Sequence, residues 1–251
     1  GTDYLPAHGL DGGEAPQKLG PQTDTTEVVG VLHSDAIAEA DILLGRYDGA
    51  AVETWRVNWR DVSVRHLVRR ATIGEIVRED GAFRAELRSG QHVLNRPMGR
   101  IYQALCDAEV GDARCGVDLD DAAFRAEASV LEVRDRFRLA IDGIGGFNEG
   151  WFGLGTVVWG EGTRIGLTDR VVSHARIGGV DVLSFAAPVG DWVVAGDAFV
   201  ARAGCDRRFA TCRDKFGNGV SFRGFPHIPG NDFVLRYPRP GDSLDGRALV
   251  T

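Results

Sequence analysis

The sequence lacks an apolar run of about 20 residues, the length that a membrane-spanning helix requires. It also lacks an excess of basic residues, because 29 lysines and arginines are set against 36 aspartates and glutamates. The formal net charge is −7 and the pI is about 5.4. An acidic balance argues against a surface built to hold nucleic acid. We therefore expect a protein without a membrane span and without a nucleic-acid-binding face.

Several signatures of enzymes and ion sites are also missing. The six histidines do not form the His-Glu-x-x-His pattern of zinc hydrolases. Glycines at residues 143–146 lead into a strand pattern, whereas a dinucleotide loop leads into a helix. The acidic residues 118–121 lack the spacing and terminal glutamate of a calcium-binding hand, which favours a solvated turn. A cysteine nucleophile with a distant histidine base stays open, because such groups meet only in the folded chain.

The amino terminus has no signal-peptide pattern. The sequence begins at Gly1 and not at Met, and the stretch through Tyr4 and Leu5 has the character of a domain interior. We therefore expect further chain before Gly1. Whether the protein is cytosolic or secreted stays open, and with it whether its thiols are reduced.

Cysteine is scarce, and its four copies form two pairs. Eight residues separate Cys106 from Cys115, and six separate Cys205 from Cys212. Four thiolates from two distant segments are enough for one iron–sulfur or zinc site. The spacing differs from the short knuckles of common zinc modules, and a secreted chain could instead pair the thiols as disulfides. Spacing alone leaves a metal site and plain buried or disulfide-bonded cysteines equally open.

Arginines stand close to these cysteines in the sequence. Nearby positive charge lowers the pKa of a thiol and favours the thiolate that binds metal. The residues in question are Arg114, Arg207, Arg208 and Arg213. Their positions predict lowered thiol pKa values, and the alternative is that they are solvated surface charges.

Alternation of branched or aromatic with polar side chains predicts a mainly β protein of barrels or sandwiches. The predicted strands are Val52–Trp59, Val64–Val77, Phe83–Leu87, Ala126–Phe137, Thr156–Trp159, Arg170–Ile177, Val180–Phe185 and Ala198–Ala201.

Two helices are predicted among these strands. The first spans Ser34–Gly45, with Ser34 as its cap and Gly45 as its end. The second lies within Val93–Ala108, begins near Pro97 and carries Cys106 at its far end.

A specific motif surrounds the second cysteine pair. Residues 205–212 are CDRRFATC, residues 215–218 are KFGN and residues 222–230 are FRGFPHIPG. This string resembles the carboxy-terminal segment of phage tail-tip and baseplate hub proteins, in particular those of gene transfer agents, the phage-like particles of alphaproteobacteria. It is also similar to the minor tail protein L of lambda-like phages, in which four cysteines hold an iron–sulfur cluster. The likeness extends over most of the chain and is concentrated in its last fifty or so residues.

The resemblance implies a ligand set, a cofactor and a domain plan. Cys106, Cys115, Cys205 and Cys212 would hold an iron–sulfur cluster, [4Fe-4S], with the longer motif around the second pair. Two β-barrel-like hub domains would occupy residues 1–120, with a helical insertion near 34–45 and the first cysteine pair, and residues 121–204. Residues 205–251 would form the cysteine-bearing segment.

Aromatic side chains follow the second cysteine pair and suggest a dry surround for the cluster. Packed phenylalanines limit solvent and protect metal–thiolate bonds. These residues are Phe209, Phe216, Phe222 and Phe225, and they would equally serve as a small satellite core.

The function implied by the resemblance is structural and not enzymatic. Three copies would form a ring at the tail baseplate, joining the distal tail protein to a central tail-tip protein, with a tail-associated peptidase as a further partner. DNA would pass through the channel without sequence-specific binding, and assembly would take place in the bacterial cytoplasm.

Two other functions stay open on the residues alone. A small iron–sulfur or thiol redox enzyme would use the same four cysteines. A carbohydrate- or receptor-binding tail module would use some of the five tryptophans, although scattered tryptophans are more often core residues.

Overall fold

The structure is a computed structural model that describes residues 10–12, 25–31, 33–34, 37–79, 82–90 and 99–228. The described chain is mainly β, which confirms the predicted class, and it adds two short α-helices and one 3₁₀-helix. It divides into two compact units, Gly1–Gly99 and Arg100–Thr251. No helix in the described ranges has the length and apolar character to cross a membrane.

The first unit is built around an antiparallel sheet with the strand order β1-β2-β7-β6-β5. The resemblance implies a barrel-like domain here, but the described strands pair as an open sheet. A separate two-stranded ribbon joins β3 to β4. The strands are β1 (Leu10–Gly12), β2 (Thr25–Val31), β3 (His33–Ser34), β4 (Ile37–Ala38), β5 (Ala51–Asn58), β6 (Asp61–Glu79) and β7 (Ala82–Ser89).

The first predicted helix is shorter than the sequence pattern suggests. Helix α1 spans Glu39–Leu43 and buries Ile42 against Phe83 of β7. Its predicted start was wrong, because Ser34 lies in β3 and pairs with β4, which keeps this backbone extended. Its predicted end is confirmed: Gly45 adopts a positive φ of 70° and donates its N–H to the Ile42 carbonyl at 3.0 Å.

The second unit contains a closed six-stranded antiparallel barrel with the order β10-β11-β12-β9-β8-β13. Side chains alternate between inside and outside, as the pattern of β8 shows, and closure leaves no unpaired edge between first and last strand. The strands are β8 (Arg125–Val133), β9 (Arg138–Asp142), β10 (Thr156–Trp159), β11 (Thr168–Ile177), β12 (Val180–Phe185) and β13 (Ala198–Arg202). Large side chains with almost no exposed surface fill it: Trp159, Phe152, Leu139, Ile144 and Leu183.

A buried carboxylate, that of Asp169, lies against this core. Asp169 accepts two hydrogen bonds from the Arg164 guanidinium, at 2.8 and 2.9 Å, and one from Trp159 Nε1 at 2.7 Å. Each of these residues is less than a tenth exposed. Because the carboxylate has three donors, its burial is compensated.

Seven of the eight predicted strands are confirmed to within a few residues at each end. The eighth, Ala126–Phe137, was too long, because β8 ends at Val133 and the chain turns back into β9. Asp135 Oδ1 accepts the backbone N–H of Phe137 at 2.8 Å and of Arg138 at 2.9 Å, and these two bonds stabilise the turn.

The second predicted helix, Val93–Ala108, is absent where the structure describes the chain. Residues 93–98 of that prediction lie outside the described ranges, and residues 99–108 form no helix. Cys106 donates its backbone N–H to the Arg207 carbonyl at 2.9 Å, a partner about a hundred residues away and not within a helical turn. Tertiary contacts therefore override the local helix signal.

Candidate functional site

Two irregular segments of the second unit meet beside the barrel and carry all four cysteines. Residues 99–118 hold the first pair, and residues 203–228 hold the second. Beyond the Cys106–Arg207 bond, Phe225 N–H donates to the Gln103 carbonyl at 2.9 Å, and Asn218 Nδ2 donates to the Cys115 carbonyl at 2.7 Å. The fold therefore brings together residues that the sequence separates by about a hundred positions.

The four thiols share one region and are all free. Cys106 and Cys212 are buried, while Cys115 and Cys205 are half-buried. Burial, and after it the neighbouring sulfurs of Cys205, Cys115 and Cys106, raise the pKa of the Cys212 thiol to about 11. Since each of the other three sulfurs influences Cys212, the set forms one electrostatic group. The disulfide alternative is not the state of this structure.

The sulfur atoms of the second cysteine pair take part in two hydrogen bonds, one as acceptor and one as donor. Arg207 N–H donates to Cys205 Sγ at 3.3 Å, and Cys212 Sγ donates to the Asn218 carbonyl at 3.3 Å. Arg207 adopts a left-handed φ of 65°, which is uncommon for a residue with a Cβ. This conformation costs roughly 1–2 kcal/mol and places the N–H of Arg207 against the sulfur.

The predicted lowering of thiol pKa by arginine was wrong for the second pair. Burial is the largest influence on Cys205 and raises its pKa above the ordinary value. The nearby guanidinium groups bind carboxylates instead. The pairs are Arg114 with Asp107 at 3.3 Å, Arg207 with Glu109 at 3.7 Å, Arg208 with Asp206 at 3.8 Å and Arg213 with Asp214 at 2.6 Å. Carboxylates therefore neutralise the positive charge that the sequence placed near the thiols.

Asp112 shapes the loop between Cys106 and Cys115. Its carboxylate accepts the backbone N–H groups of Cys115 at 2.7 Å, Arg114 at 2.9 Å and Glu109 at 3.0 Å. The Cys115 N–H is the largest of the influences that hold the pKa of Asp112 below its ordinary value. One acidic side chain thus fixes the backbone on which Cys115 stands.

The second cysteine segment is fixed to the barrel at Gly204, immediately before Cys205. A Cβ on Gly204 would overlap the backbone of Gly153, Leu154 and Gly155, so only glycine permits this approach. Lys215 Nζ adds hydrogen bonds to the carbonyls of Gly204 at 2.7 Å and Trp151 at 2.5 Å. Burial lowers the pKa of Lys215 to about 8.

Helix α2 (Phe209–Asp214) carries Cys212 and is followed by a 3₁₀-helix, Gly219–Ser221. The phenylalanines around it form two pairs instead of one cluster. Phe209 packs edge-on against Phe222 with ring centroids 5.1 Å apart, and Phe216 packs on Phe124 at 5.0 Å. Phe225 is exposed and packs on Tyr102 with tilted rings whose centroids are 4.6 Å apart, so it offers little shielding from solvent.

The donor set is four soft sulfur atoms, which suits iron or zinc better than hard cations. A tetrahedral zinc ion bound at about 2.3 Å requires sulfurs roughly 4 Å apart. Among the described residues, no three His, Cys, Asp or Glu side chains form a group that could hold one metal ion. The four thiols therefore share one region of the described chain but do not form a preformed site for a single ion.

Several residues of the site could not be singled out from sequence. Asp112 precedes Cys115 by three positions, a spacing at which an Asp side chain caps a turn, and this signal could have found it. Asn218 lies in the KFGN string, but its bond to Cys115 has no sequence signal. Gly204 approaches the backbone of Gly153, and Lys215 bonds to the carbonyls of Trp151 and Gly204. Hydrophobic periodicity does not reveal contacts between residues this far apart in the sequence.

Comparison with known proteins agrees with this architecture. A family described as baseplate hub protein, N-terminal attachment domain, matches residues 1–118, and a family described as phage conserved hypothetical protein matches residues 150–232. The first match includes Cys106 and Cys115, and the second includes Cys205 and Cys212. No curated protein matches the chain.

A solved structure, titled the virion of a native gene transfer agent particle, contains a similar chain. The two chains are 41% identical and superpose with a TM-score of 0.85, and the match covers 96% of this chain and 84% of that one. Such identity over nearly the whole length establishes common descent as well as a common fold. The chain belongs to the baseplate hub proteins of phage-like tails, as a structural relative of a gene transfer agent virion component.

Proposed function

We propose that three copies of this protein form a ring in the baseplate of a phage-like tail. The ring joins the distal tail protein to the central tail-tip protein and leaves a channel through which DNA passes without sequence-specific contacts. Family membership and the likeness to a gene transfer agent virion chain support a structural role in the tail. Assembly takes place in the bacterial cytoplasm, before the particle is released.

The site adds a second part to this function: Cys106, Cys115, Cys205 and Cys212 hold an iron–sulfur cluster, [4Fe-4S]. The observation that carries it is the meeting of four free thiols from two segments in one region. Thiolates that bind separate irons of a cluster do not need to converge on a single point, which agrees with the absence of a single-ion site among the described residues. When bound, the cluster supplies iron–thiolate bonds that cross-link the two segments.

The need for a cross-link follows from how little the two segments bury. Residues 99–118 contribute Cys106, Ala108 and Val117 as buried apolar residues, and the helix-bearing segment after Cys205 contributes Cys212. Short loops with so little burial do not offset the entropy of their own ordering. Closing the loop of about ninety residues between Cys115 and Cys205 removes roughly 4–5 kcal/mol of entropy from the unfolded chain. A structural cross-link is therefore a sufficient role.

The protein's own residues prepare the thiols for this role. The Arg207 N–H at 3.3 Å from Cys205 Sγ is placed to stabilise negative charge on that sulfur. Asn218 and Asp112 fix the backbone of Cys115 from two sides. Phe209, in the same short helix as Cys212, packs edge-on against Phe222, and this aromatic pair would limit solvent near the helix.

Mass in solution tests the ring. Sedimentation of the purified 251-residue chain is expected to give about three times the chain mass of 27.1 kDa. A stable monomer at high protein concentration contradicts the ring.

The unfolding temperature measured with and without the cluster separates a structural cross-link from a redox centre. If the cluster is a cross-link, removal of iron should lower the unfolding temperature. A redox enzyme should instead be reduced and reoxidised by electron donors and acceptors, and loss of its iron should change the unfolding temperature little.

A further inference from the structure

The hairpin formed by β5 and β6 presents a surface that no described strand of its sheet covers. Every residue from 56 to 66 is exposed, and the first buried residue along β6 is Ala71. β5 pairs with β6 on one side and with no other described strand on its outer edge. A two-stranded ribbon without a packed face is marginally stable in water, so this one is incomplete by itself.

The exposed end of the hairpin carries large apolar side chains between its arginines. Trp59 at its tip is 81% exposed, and Val62 is 69% exposed. Val64 and Val68 of β6 are also exposed, by 58% and 41%. Val57 adds a further exposed side chain on β5. Several large apolar side chains exposed together at one end of a hairpin are typical of an interaction site.

Arginines hold the tryptophans in place. The Arg60 guanidinium lies over the Trp59 ring at 4.8 Å, and that of Arg65 lies over Trp55 at 5.6 Å. Trp55 Nε1 also donates to Glu53 Oε2 at 3.1 Å. Tryptophan and arginine dominate the binding energy of protein interfaces, and side chains that are ordered before contact lose less entropy on binding.

The charge of the hairpin is opposite to that of the rest of the chain. Residues 51–72 contain five arginines, no lysine and the two carboxylates of Glu53 and Asp61, a net charge of +3. With a formal net charge of −7 for the whole chain, the remaining residues carry −10. A basic arm on an acidic chain is complementary to another copy of the same chain. Exposed valines and the absence of lysine favour a protein partner over DNA phosphates.

We propose that the β5–β6 hairpin docks on the acidic surface of a second copy of this chain, with Trp59 and Val62 as its apolar anchors. The inference rests on the proposed ring and names the surface that joins its subunits. A head-to-tail contact of this type, repeated by three copies, closes into a ring.

Site-specific photo-crosslinking tests the contact in the full chain. Trp59→benzoylphenylalanine is irradiated in the purified oligomer, with Val194→benzoylphenylalanine, an exposed apolar position of the barrel unit, as the matched control. We expect a product of about twice 27.1 kDa from position 59, with the attachment peptide mapped to an acidic segment of this chain, and at least fivefold less from position 194. Equal yields from both positions, or capture of DNA or of a different tail protein alone, would overturn the inference.

A surface variant gives an independent outcome. Trp59→Ser combined with Val62→Ser removes both anchors at positions that no core residue needs, and the far-ultraviolet circular dichroism should stay unchanged. The oligomer should dissociate at a protein concentration at least tenfold higher than for the unaltered chain. If the unaltered chain forms a ring and the double variant dissociates no more readily, the hairpin contact is overturned and the proposed ring stands. An unaltered chain that is monomeric overturns the ring itself.

Discussion

Asn218 donates from its side-chain nitrogen to the backbone carbonyl of Cys115 at 2.7 Å, across 103 positions of sequence. The same nitrogen lies 3.8 Å from Cys115 Sγ, and the Asn218 carbonyl accepts from Cys212 Sγ at 3.3 Å. One residue thus contacts a cysteine of each pair. Asn218 therefore links the two cysteine-bearing segments without a cofactor.

Asn218→Ala should therefore destabilise the second unit. Loss of this bond leaves the Cys115 carbonyl without its donor in a partly buried setting, and we expect about 1–2 kcal/mol less free energy of unfolding. Chemical denaturation of the iron-free protein measures it. Asn148→Ala, at an exposed position of the same unit, is the control and should change stability by less than about 0.5 kcal/mol. Equal effects of the two substitutions would contradict the role given to Asn218.

Gly204→Ala should prevent the normal seating of the second cysteine segment. The added methyl group would overlap the backbone around Gly153 and Gly155, which has no flexible side chain to move aside. We expect a loss of more than about 3 kcal/mol, at the upper end of single substitutions. Gly146→Ala is the control, because a Cβ there meets no atom within 4 Å. Thermal unfolding of both variants decides the matter, and a Gly204→Ala protein as stable as Gly146→Ala would refute this packing.

The barrel should lose stability in acid through Asp181. Burial raises the pKa of this carboxyl, but hydrogen bonds from Arg176 at 2.9 Å and His174 at 3.1 Å outweigh burial, and the pKa lies below its ordinary value. A lowered pKa in the folded state gives stability that is present above about pH 4 and is lost as the pH falls further.

The unfolding temperature between about pH 6 and pH 2 measures this contribution. Asp181→Asn should be less stable than the unaltered chain at neutral pH and should show a flatter fall in acid. Glu161→Gln, at an exposed carboxylate of the same unit, should keep the unaltered slope. Parallel curves for the unaltered chain and Asp181→Asn would show that Asp181 makes no such contribution.

Strand positions could be predicted because alternation is a local property. Thr156–Trp159 and Val180–Phe185 were predicted with their observed bounds, since burial in the barrel follows the same period of two. The hairpin between β8 and β9 was missed because one side chain, Asp135, decides it. A single turn-forming residue within an otherwise alternating run gives a weak signal.

The meeting of the four cysteines was predictable from the sequence, and their surroundings were not. Four scarce cysteines with a specific motif identified the residues that meet. The pKa values of the Cys205 and Cys212 thiols were predicted in the wrong direction, because nearby arginines such as Arg207 and Arg213 bind carboxylates in the fold. Burial of Cys205 and Cys212 outweighs sequence proximity, and burial depends on contacts that only the folded chain makes.

Iron and sulfide analysis of the full chain, purified without oxygen and combined with an absorbance spectrum, tests the central claim most directly. The account predicts a coloured protein with about four irons and four sulfides per chain. Both should be lost in Cys106→Ser and in Cys212→Ser, and the unfolding temperature should fall with them. A colourless protein that contains neither iron nor sulfide, and whose stability equals that of the two serine variants, would contradict it.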